Sequence, residues 1–223
     1  MNGRLGIVLG LCLLNSLCHA QRRGDQRQDK FPVASAQLDF VLPSALNNTQ
    51  MRSLTEMIGQ MGLTAQFPVY KGLGLGAGTR ATFFDLDVRS FGGTPRTGGV
   101  QRWSYFGKLQ WEVRTGEISF IELAMRVGQS QYAFRTDSCG LHRANGLYLN
   151  PTFSMYLMAT KNLAFGLTLG YEYDNVLLKP EQFCLEALPN ERIGVTEGPI
   201  QYFMIGLSVS ARFRKGEEPM DYY

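Results

Sequence analysis

The chain has 223 residues, a formal net charge of +3, and 18% charged residues. Basic residues do not cluster after Arg22 and Arg23, which argues against a nucleic-acid surface, and no run of 18 apolar residues follows residue 20, which excludes a spanning helix. A mature chain of roughly 200 residues fits a single domain.

The first 20 residues predict export from the cytoplasm. Arg4 is followed by a short apolar run that ends at Cys18-His19-Ala20. This is the pattern of a secretory signal peptide, 1–20, and we expect cleavage after Ala20. Residues 21–32 are polar, and we expect them to form a disordered N-terminal segment.

Two cysteines, Cys139 and Cys184, remain after that cleavage. In an oxidising compartment an isolated pair is more often a disulfide than a metal site. A metal site would need further ligands, and the mature chain holds one histidine, His142. We therefore predict a disulfide, and neither a metal nor a cofactor.

The disulfide prediction has a direct test. A bond between Cys139 and Cys184 closes a loop of more than forty residues. In the chain-entropy model, such a bond stabilises the folded protein by about 4 kcal/mol. We expect both thiols to resist alkylation in the folded, unreduced protein, as measured by intact mass. Alkylation of both thiols without prior reduction would contradict the bond, and a reduced sample provides the control.

Alternation of apolar with small or polar residues predicts eight strands in chain order. They cover residues 33–42, 63–70, 73–83 (extending towards 90), 102–114, 117–134, 147–159, 163–174 and 200–214. The clearest pair is the hairpin 147–174, whose two strands are each about ten residues long, enough to cross a bilayer at a tilt. Between the first two strands, Met51, Leu54, Met57, Ile58 and Met61 have helical spacing, so the segment from 51 to 61 predicts a short amphipathic helix.

The connections alternate in length along the chain. Short turns are predicted at residues 71–72, 115–116 and 160–162, and long loops at 91–100, 135–146 and 178–199. All short turns therefore lie on one side of an up-and-down sheet, and all long loops lie on the other.

The strand faces differ in charge, and this difference decides which face is interior. An eight-stranded barrel has an interior just wide enough for side chains to fill, so the bulky apolar face must point outward to lipid. The opposite face forms a polar network inside the barrel. With a turn at 115–116, the numbers of two residues that face each other on the adjoining strands add up to about 231, so we expect Lys108 and Glu122 to be near neighbours. The predicted network contains Arg80, Lys108, Glu112, Glu122, Arg126, Glu172 and Arg212. Aromatic residues near strand ends are predicted to form interfacial belts, namely Trp103, Tyr105, Tyr171, Tyr173 and Tyr202.

The signal peptide, the glycine-rich alternating strands and a last strand that ends near Phe213 resemble the small outer-membrane β-barrel proteins of Gram-negative bacteria. The resemblance implies a transmembrane eight-stranded antiparallel up-and-down β-barrel, residues 33–214, with short periplasmic turns and long extracellular loops. Residues 215–223 then form a periplasmic tail. Outer-membrane lipid and lipopolysaccharide are the expected surroundings, and no nucleic acid is expected as a partner.

The main functional expectation is a non-enzymatic barrel that acts as a structural, recognition or accessory element of an outer-membrane or secretion complex. One alternative is a lipid-modifying enzyme of the outer leaflet, a lipid A hydrolase or acyltransferase. Such enzymes keep a histidine, a serine and an acid near the outer rim, and here the candidates are His142, Ser138 and Asp137. Another alternative is a secreted lipocalin-like carrier, which would need an apolar cavity and a polar exterior.

Overall fold

The structure is a computed structural model that describes residues 33–46, 55–87, 97–137, 140–177, 179–183 and 199–213. Its elements are β1 (Ala34–Ala45), β2 (Thr55–Tyr70), β3 (Leu73–Leu86), β4 (Gly98–Arg114), β5 (Ser119–Thr136), β6 (Gly140–Thr160), β7 (Leu163–Asp174), a 3-10 helix (Pro180–Phe183) and β8 (Ile200–Phe213). No helix in these ranges is long and apolar enough to cross a membrane. The predicted signal peptide, N-terminal segment, tail and disulfide cysteines lie outside the described residues.

The eight strands form one closed antiparallel barrel. Each strand pairs with the next along the chain, and β1 closes the ring by pairing with β8, from Ala34 opposite Phe213 to Ala45 opposite Tyr202. Closure pairs the edge strands with each other, as a sheet in hydrocarbon requires. The predicted eight-stranded up-and-down barrel is confirmed.

Side chains alternate between the two faces, and away from the loop end the charged ones lie inside. On β4, Lys108 is 2% exposed, whereas its neighbour Leu109 is 54% exposed and Trp111 is 49% exposed. A barrel in water would show the opposite distribution, because large apolar groups on its surface would remain hydrated. The outer surface is therefore suited to lipid.

Short turns define one end of the barrel, here called the turn end; the opposite end is the loop end. Between β2 and β3 the chain reverses at Lys71 and Gly72, whose φ angles are 35° and 96°. Both values are left-handed, as tight hairpin turns require. A Cβ at Gly72 would lie 2.8 Å from the carbonyl oxygen of Glu112, so glycine also makes room for β4.

The predicted helix over residues 51–61 is wrong for its described part. Residues 55–61 belong to β2, which pairs with β3 through Gln60 opposite Thr82. The register shifts between Met57 and Gly59. This irregularity moves the inside–outside alternation by one residue, and the shifted pattern resembles helical spacing.

The long loop predicted at 135–146 is also wrong. β5 continues to Thr136, which pairs with Gly140 at the start of β6, so only residues 137–139 connect the two strands. Polar residues such as Arg135 and Arg143 face outward here, so the alternation of apolar residues that marks the membrane part of each strand is missing. β6 is 21 residues long, whereas β7 has 12 residues. The β5–β6 hairpin therefore projects beyond β7 at the loop end.

Candidate functional site: the charged interior and the loop end

The barrel interior holds equal numbers of positive and negative side chains among the described residues. Its buried charges are Arg80, Arg102, Lys108, Arg126 and Arg212, five cations, and Asp39, Glu112, Glu122, Glu172 and Asp174, five anions. Buried charges are tolerated when they are paired and hydrogen-bonded, because an uncompensated one keeps its full desolvation cost. All seven residues of the predicted network are among these ten, and the structure arranges the ten in layers from the turn end to the loop end.

The layer nearest the turn end is a two-point ion pair between Arg212 and Glu112. Arg212 Nη1 donates to Glu112 Oε2 at 3.1 Å, and Nη2 donates to Oε1 at 2.6 Å. The same guanidinium lies 4.4 Å from the ring centre of Phe120, which stacks on Tyr156 at 4.7 Å. This arrangement satisfies the planar donor group of the arginine and holds it against an aromatic surface.

The next layer contains Lys108 and Glu122. Lys108 Nζ lies 2.7 Å from Glu122 Oε1 and also donates to the side-chain oxygens of Gln37 and Gln66, at 2.6 and 2.7 Å. Gln37 Nε2 in turn donates to Glu122 Oε2 at 2.7 Å. The predicted neighbours are therefore in contact.

The register predicted for that pair is wrong. Lys108 lies opposite Arg126, and Glu112 lies opposite Glu122, so facing residues sum to 234 rather than 231. The difference of three arises because the last pair of this ladder is Arg114 opposite Phe120, so five residues, 115–119, separate the paired positions rather than the predicted two, 115–116. Glu122 lies four residues along β5 from Arg126, the residue directly opposite Lys108, so the two long side chains meet by extending towards each other along the barrel interior.

The central layer is organised by Asp39, which lies outside the predicted set. Its Oδ2 accepts from Arg126 Nη2 at 2.8 Å and from Arg80 Nη2 at 3.2 Å, and its Oδ1 accepts from the Ser208 hydroxyl at 2.7 Å. Arg80 and Arg126 thus share one carboxylate. The sequence feature that could have identified Asp39 is its position between the outward-facing Leu38 and Phe40, on a strand that carries no other charge.

The layer nearest the loop end contains Arg102, which also lies outside the predicted set. Arg102 Nη1 pairs with Asp174 Oδ2 at 2.6 Å and with the carboxylate of Glu172, which also lies 3.3 Å from Arg80 Nη1. The Tyr132 hydroxyl donates to Asp174 Oδ2 at 2.8 Å. Arg102 and Asp174 occupy even-numbered positions on their strands, as the inward-facing Lys108 and Glu172 do. This alternation is the sequence feature from which their place inside the barrel could have been predicted.

An apolar cluster fills the interior between this last charged layer and the loop end. It consists of Val41, Phe84, Leu86, Val100, Tyr132, Phe134, Val176, Phe183, Ile200, Tyr202 and Met204. Phe183, from the 3-10 helix, is fully buried and meets Phe134 edge-on at 5.2 Å. The cluster covers the charged layers on the side of the loops.

One member of this cluster corrects the predicted aromatic belt. Tyr202 is 1% exposed and lies inside the barrel, 5.4 Å below the Arg102 guanidinium, because it shares the inward parity of Ser208 and Arg212 on β8. Trp103 and Tyr105 do face outward, with 41% and 57% exposure. Proximity to a strand end alone does not decide which face a tyrosine occupies.

The predicted catalytic group is only partly described. His142 lies opposite Phe134 in the β5–β6 ladder and is half-buried, Asp137 is exposed after the end of β5, and Ser138 lies outside the described residues. A cleft of about 450 Å³ beside β6 is lined by His142, Asn145, Lys179, Gln182 and neighbouring residues. Within the described ranges, no group of three or more His, Cys, Asp or Glu side chains could hold a metal ion.

No family model matches the sequence, and no curated protein matches it. Among solved structures, Neisserial surface protein A is 10% identical, with 81% of this chain and 97% of that chain covered at a TM-score of 0.52. Ail of Yersinia pestis, in complex with the heparin analogue sucrose octasulfate, is 10% identical, with 79% of this chain and 97% of that chain covered at a TM-score of 0.43. The outer membrane protein OprG of Pseudomonas aeruginosa is 11% identical, with 82% of this chain and 98% of that chain covered at a TM-score of 0.43.

The likeness to Neisserial surface protein A confirms the fold and nothing further, because a structural match at 10% sequence identity shows only that the fold is shared. This chain therefore shares the eight-stranded barrel fold of that protein, and its outward apolar surface is suited to lipid.

Proposed function

We propose that this protein is a closed, non-enzymatic barrel of the outer membrane that acts by recognition or assembly through its loop end, which faces the cell exterior. One observation carries the proposal: the interior is filled by paired charges and covered by an apolar cluster. Solutes need a polar path through a barrel, and this interior supports none. The outer surfaces at the loop end remain available for function.

The β5–β6 hairpin is the structure best suited to that role. The first ladder pair between β6 and β7 is Tyr148 opposite Asp174, so residues 140–147 extend beyond β7 while they remain paired with β5. Arg143 and Asn145 face outward on this extension and are exposed. A paired hairpin presents such side chains more rigidly than a loop does, which lowers the entropic cost of binding. The expected partner is a protein of an outer-membrane or secretion complex.

Site-specific photocrosslinking in living cells tests this role. A photoreactive residue at Asn145 should give a crosslinked protein species, because position 145 lies outward on the projecting hairpin. The matched control is Leu167, which is 59% exposed on the apolar face of β7 and should contact lipid. Equal protein crosslinking at the two positions, or none at Asn145, would contradict recognition through this hairpin.

The same purified protein allows the closed interior to be checked. After reconstitution into planar bilayers, the protein should give no stepwise conductance. The control for folding is a gel, on which unboiled and boiled samples should migrate differently. Reproducible channels from the folded protein would overturn the closed barrel and favour a pore.

A further inference from the structure

A groove of about 560 Å³ lies on the outer surface of β2 to β6 at the loop end. Gly99 and Ala133 form its floor, and Phe83, Trp103 and Leu141 stand around it. The two small residues lie on adjacent strands and leave a depression between larger side chains. The groove opens on the outer face of the barrel, and it shares one lining residue, Arg143, with the cleft beside His142.

Two arginines stand at one side of this groove. Arg143 lies opposite Ala133 in the β5–β6 ladder, which makes it a diagonal neighbour of Arg135 on the same outward face. Such neighbours are roughly 7–8 Å apart at the backbone, so two guanidinium groups can converge on one anion. Neither arginine belongs to any of the seven ion pairs found among the described residues. No other outward-facing residue of the described strands is a lysine or an arginine.

Carboxylates stand at the other side. Glu56 pairs with Asp85, Asp85 with Gly99, and Gly99 with Arg135, so these four residues form one row across β2 to β5. With strands about 4.8 Å apart, Asp85 and Arg135 are separated by about 10 Å at the backbone, with the glycine floor between them. Asp137, two residues beyond Arg135, is a third exposed carboxylate, but it does not line the groove. Among the residues that line the groove, Asp85 is acidic at one side, and Arg135 and Arg143 are basic at the other.

The height of the groove in the membrane follows from β4. Trp103 lines the groove, and Tyr105, two residues closer to the turn end, is also exposed on the outer surface. Further along the same face are Leu109 and Trp111, which are exposed and uncharged. Outward-facing aromatic residues mark the boundary between hydrocarbon and headgroups. The groove therefore opens at the level of lipid headgroups, and a lipid is the molecule that must lie against it.

We propose that this groove binds the headgroup of an outer-leaflet lipid that carries both a phosphate and a primary amine. Arg135 and Arg143 hold the phosphate, and Asp85 with Glu56 faces the amine. Two guanidinium groups match the geometry and charge of a phosphate, and the carboxylates favour an amine-bearing headgroup over an anionic one. This inference rests on the proposed outer-membrane location.

Native mass spectrometry of the delipidated full-length protein tests the proposal. With phosphatidylethanolamine as the amine-bearing probe and phosphatidylglycerol as the anionic one, we expect at least threefold more phosphatidylethanolamine adduct. Arg135→Gln with Arg143→Gln should reduce that adduct at least tenfold. Lys161→Gln, which removes one positive charge from an exposed turn at the opposite end of the barrel, is the control and should leave it unchanged.

Asp85→Asn with Glu56→Gln should abolish the preference between the two lipids while adduct formation persists. Free phosphoethanolamine and inorganic phosphate, added as soluble competitors, distinguish a lipid site from a site for free phosphate. Equal wild-type adducts of both lipids, an unchanged adduct in the double arginine variant, or full displacement by inorganic phosphate would overturn the proposal. Gel migration and crosslinking from Asn145 report separately on the barrel and on its proposed function, so the two failures are distinguishable.

Discussion

Replacing Asp39 by alanine is expected to destabilise the barrel by about 3–5 kcal/mol, the range for breaking a buried ion pair from one side. Asp39 accepts from Arg80 and Arg126 at 3.2 and 2.8 Å, and both arginines are buried. Without the carboxylate, two guanidinium groups lose a shared counter-charge in a region that water does not reach. The loss should exceed that of any neutral hydrogen bond in the interior.

Urea unfolding in lipid vesicles, followed by tryptophan fluorescence, measures this effect. Ser208→Ala is the matched control, because Ser208 donates its hydroxyl to the same carboxylate at 2.7 Å and shares a hydrogen bond of 2.6 Å with the Thr168 hydroxyl. Losing these neutral hydrogen bonds should cost about 1–2 kcal/mol. If the two variants unfolded at the same urea concentration, Asp39 would not be the counter-charge for the two arginines.

The second large effect is expected at the Lys108–Glu122 pair. Glu122→Leu alone should destabilise the barrel by about 3 kcal/mol, because it leaves Lys108 charged and buried without its carboxylate. Lys108→Met in the same chain removes that charge and should recover part of the loss. The coupling free energy from the double-mutant cycle should exceed about 1 kcal/mol. Recovery stays incomplete because Gln37 and Gln66 lose hydrogen bonds to both residues.

A matched cycle pairs Lys108→Met with Phe165→Leu. Phe165 is 50% exposed on the outer face of β7 and does not belong to the interior network, so these two changes should be additive. Additivity in the Lys108–Glu122 cycle as well would mean that the 2.7 Å contact contributes no coupling, and the account of the interior as an interdependent network would fail.

The recognition and lipid proposals concern different surfaces of the same end. Asn145 lies on the projecting part of β6, and the lipid groove extends across β2 to β6. Arg143 lines both the groove and the cleft beside His142. A lipid held in the groove would pack against the base of the hairpin. Replacing Arg143 is therefore the change expected to affect both measurements, and Asn145 is the cleaner position for crosslinking.

Alternation along single strands was sufficient to predict the number of strands and the face of most residues. The odd and even positions of residues 163–174 separate into outward apolar and inward small or polar groups, and the structure keeps that division. Alternation failed in two places for local reasons. In β2 an irregularity between Met57 and Gly59 shifts the pattern, and at the β5–β6 hairpin the strands leave the hydrocarbon, so outward residues become polar.

Strand alternation in the sequence was enough to predict the fold, because the face on which a side chain lies is a property of the neighbouring backbone. The partners of the buried charges could not be predicted in this way, because they depend on how distant strands come together. Gln37 meets Glu122 across a separation of 85 residues, and Asp39 meets Ser208 across 169 residues. Such contacts depend on ring closure and on the register of every ladder, and the three extra residues between Arg114 and Phe120 were enough to change which residues face each other on β4 and β5. The lipid groove arises in the same way, since Asp85, Gly99 and Arg135 become one row only when three strands are aligned.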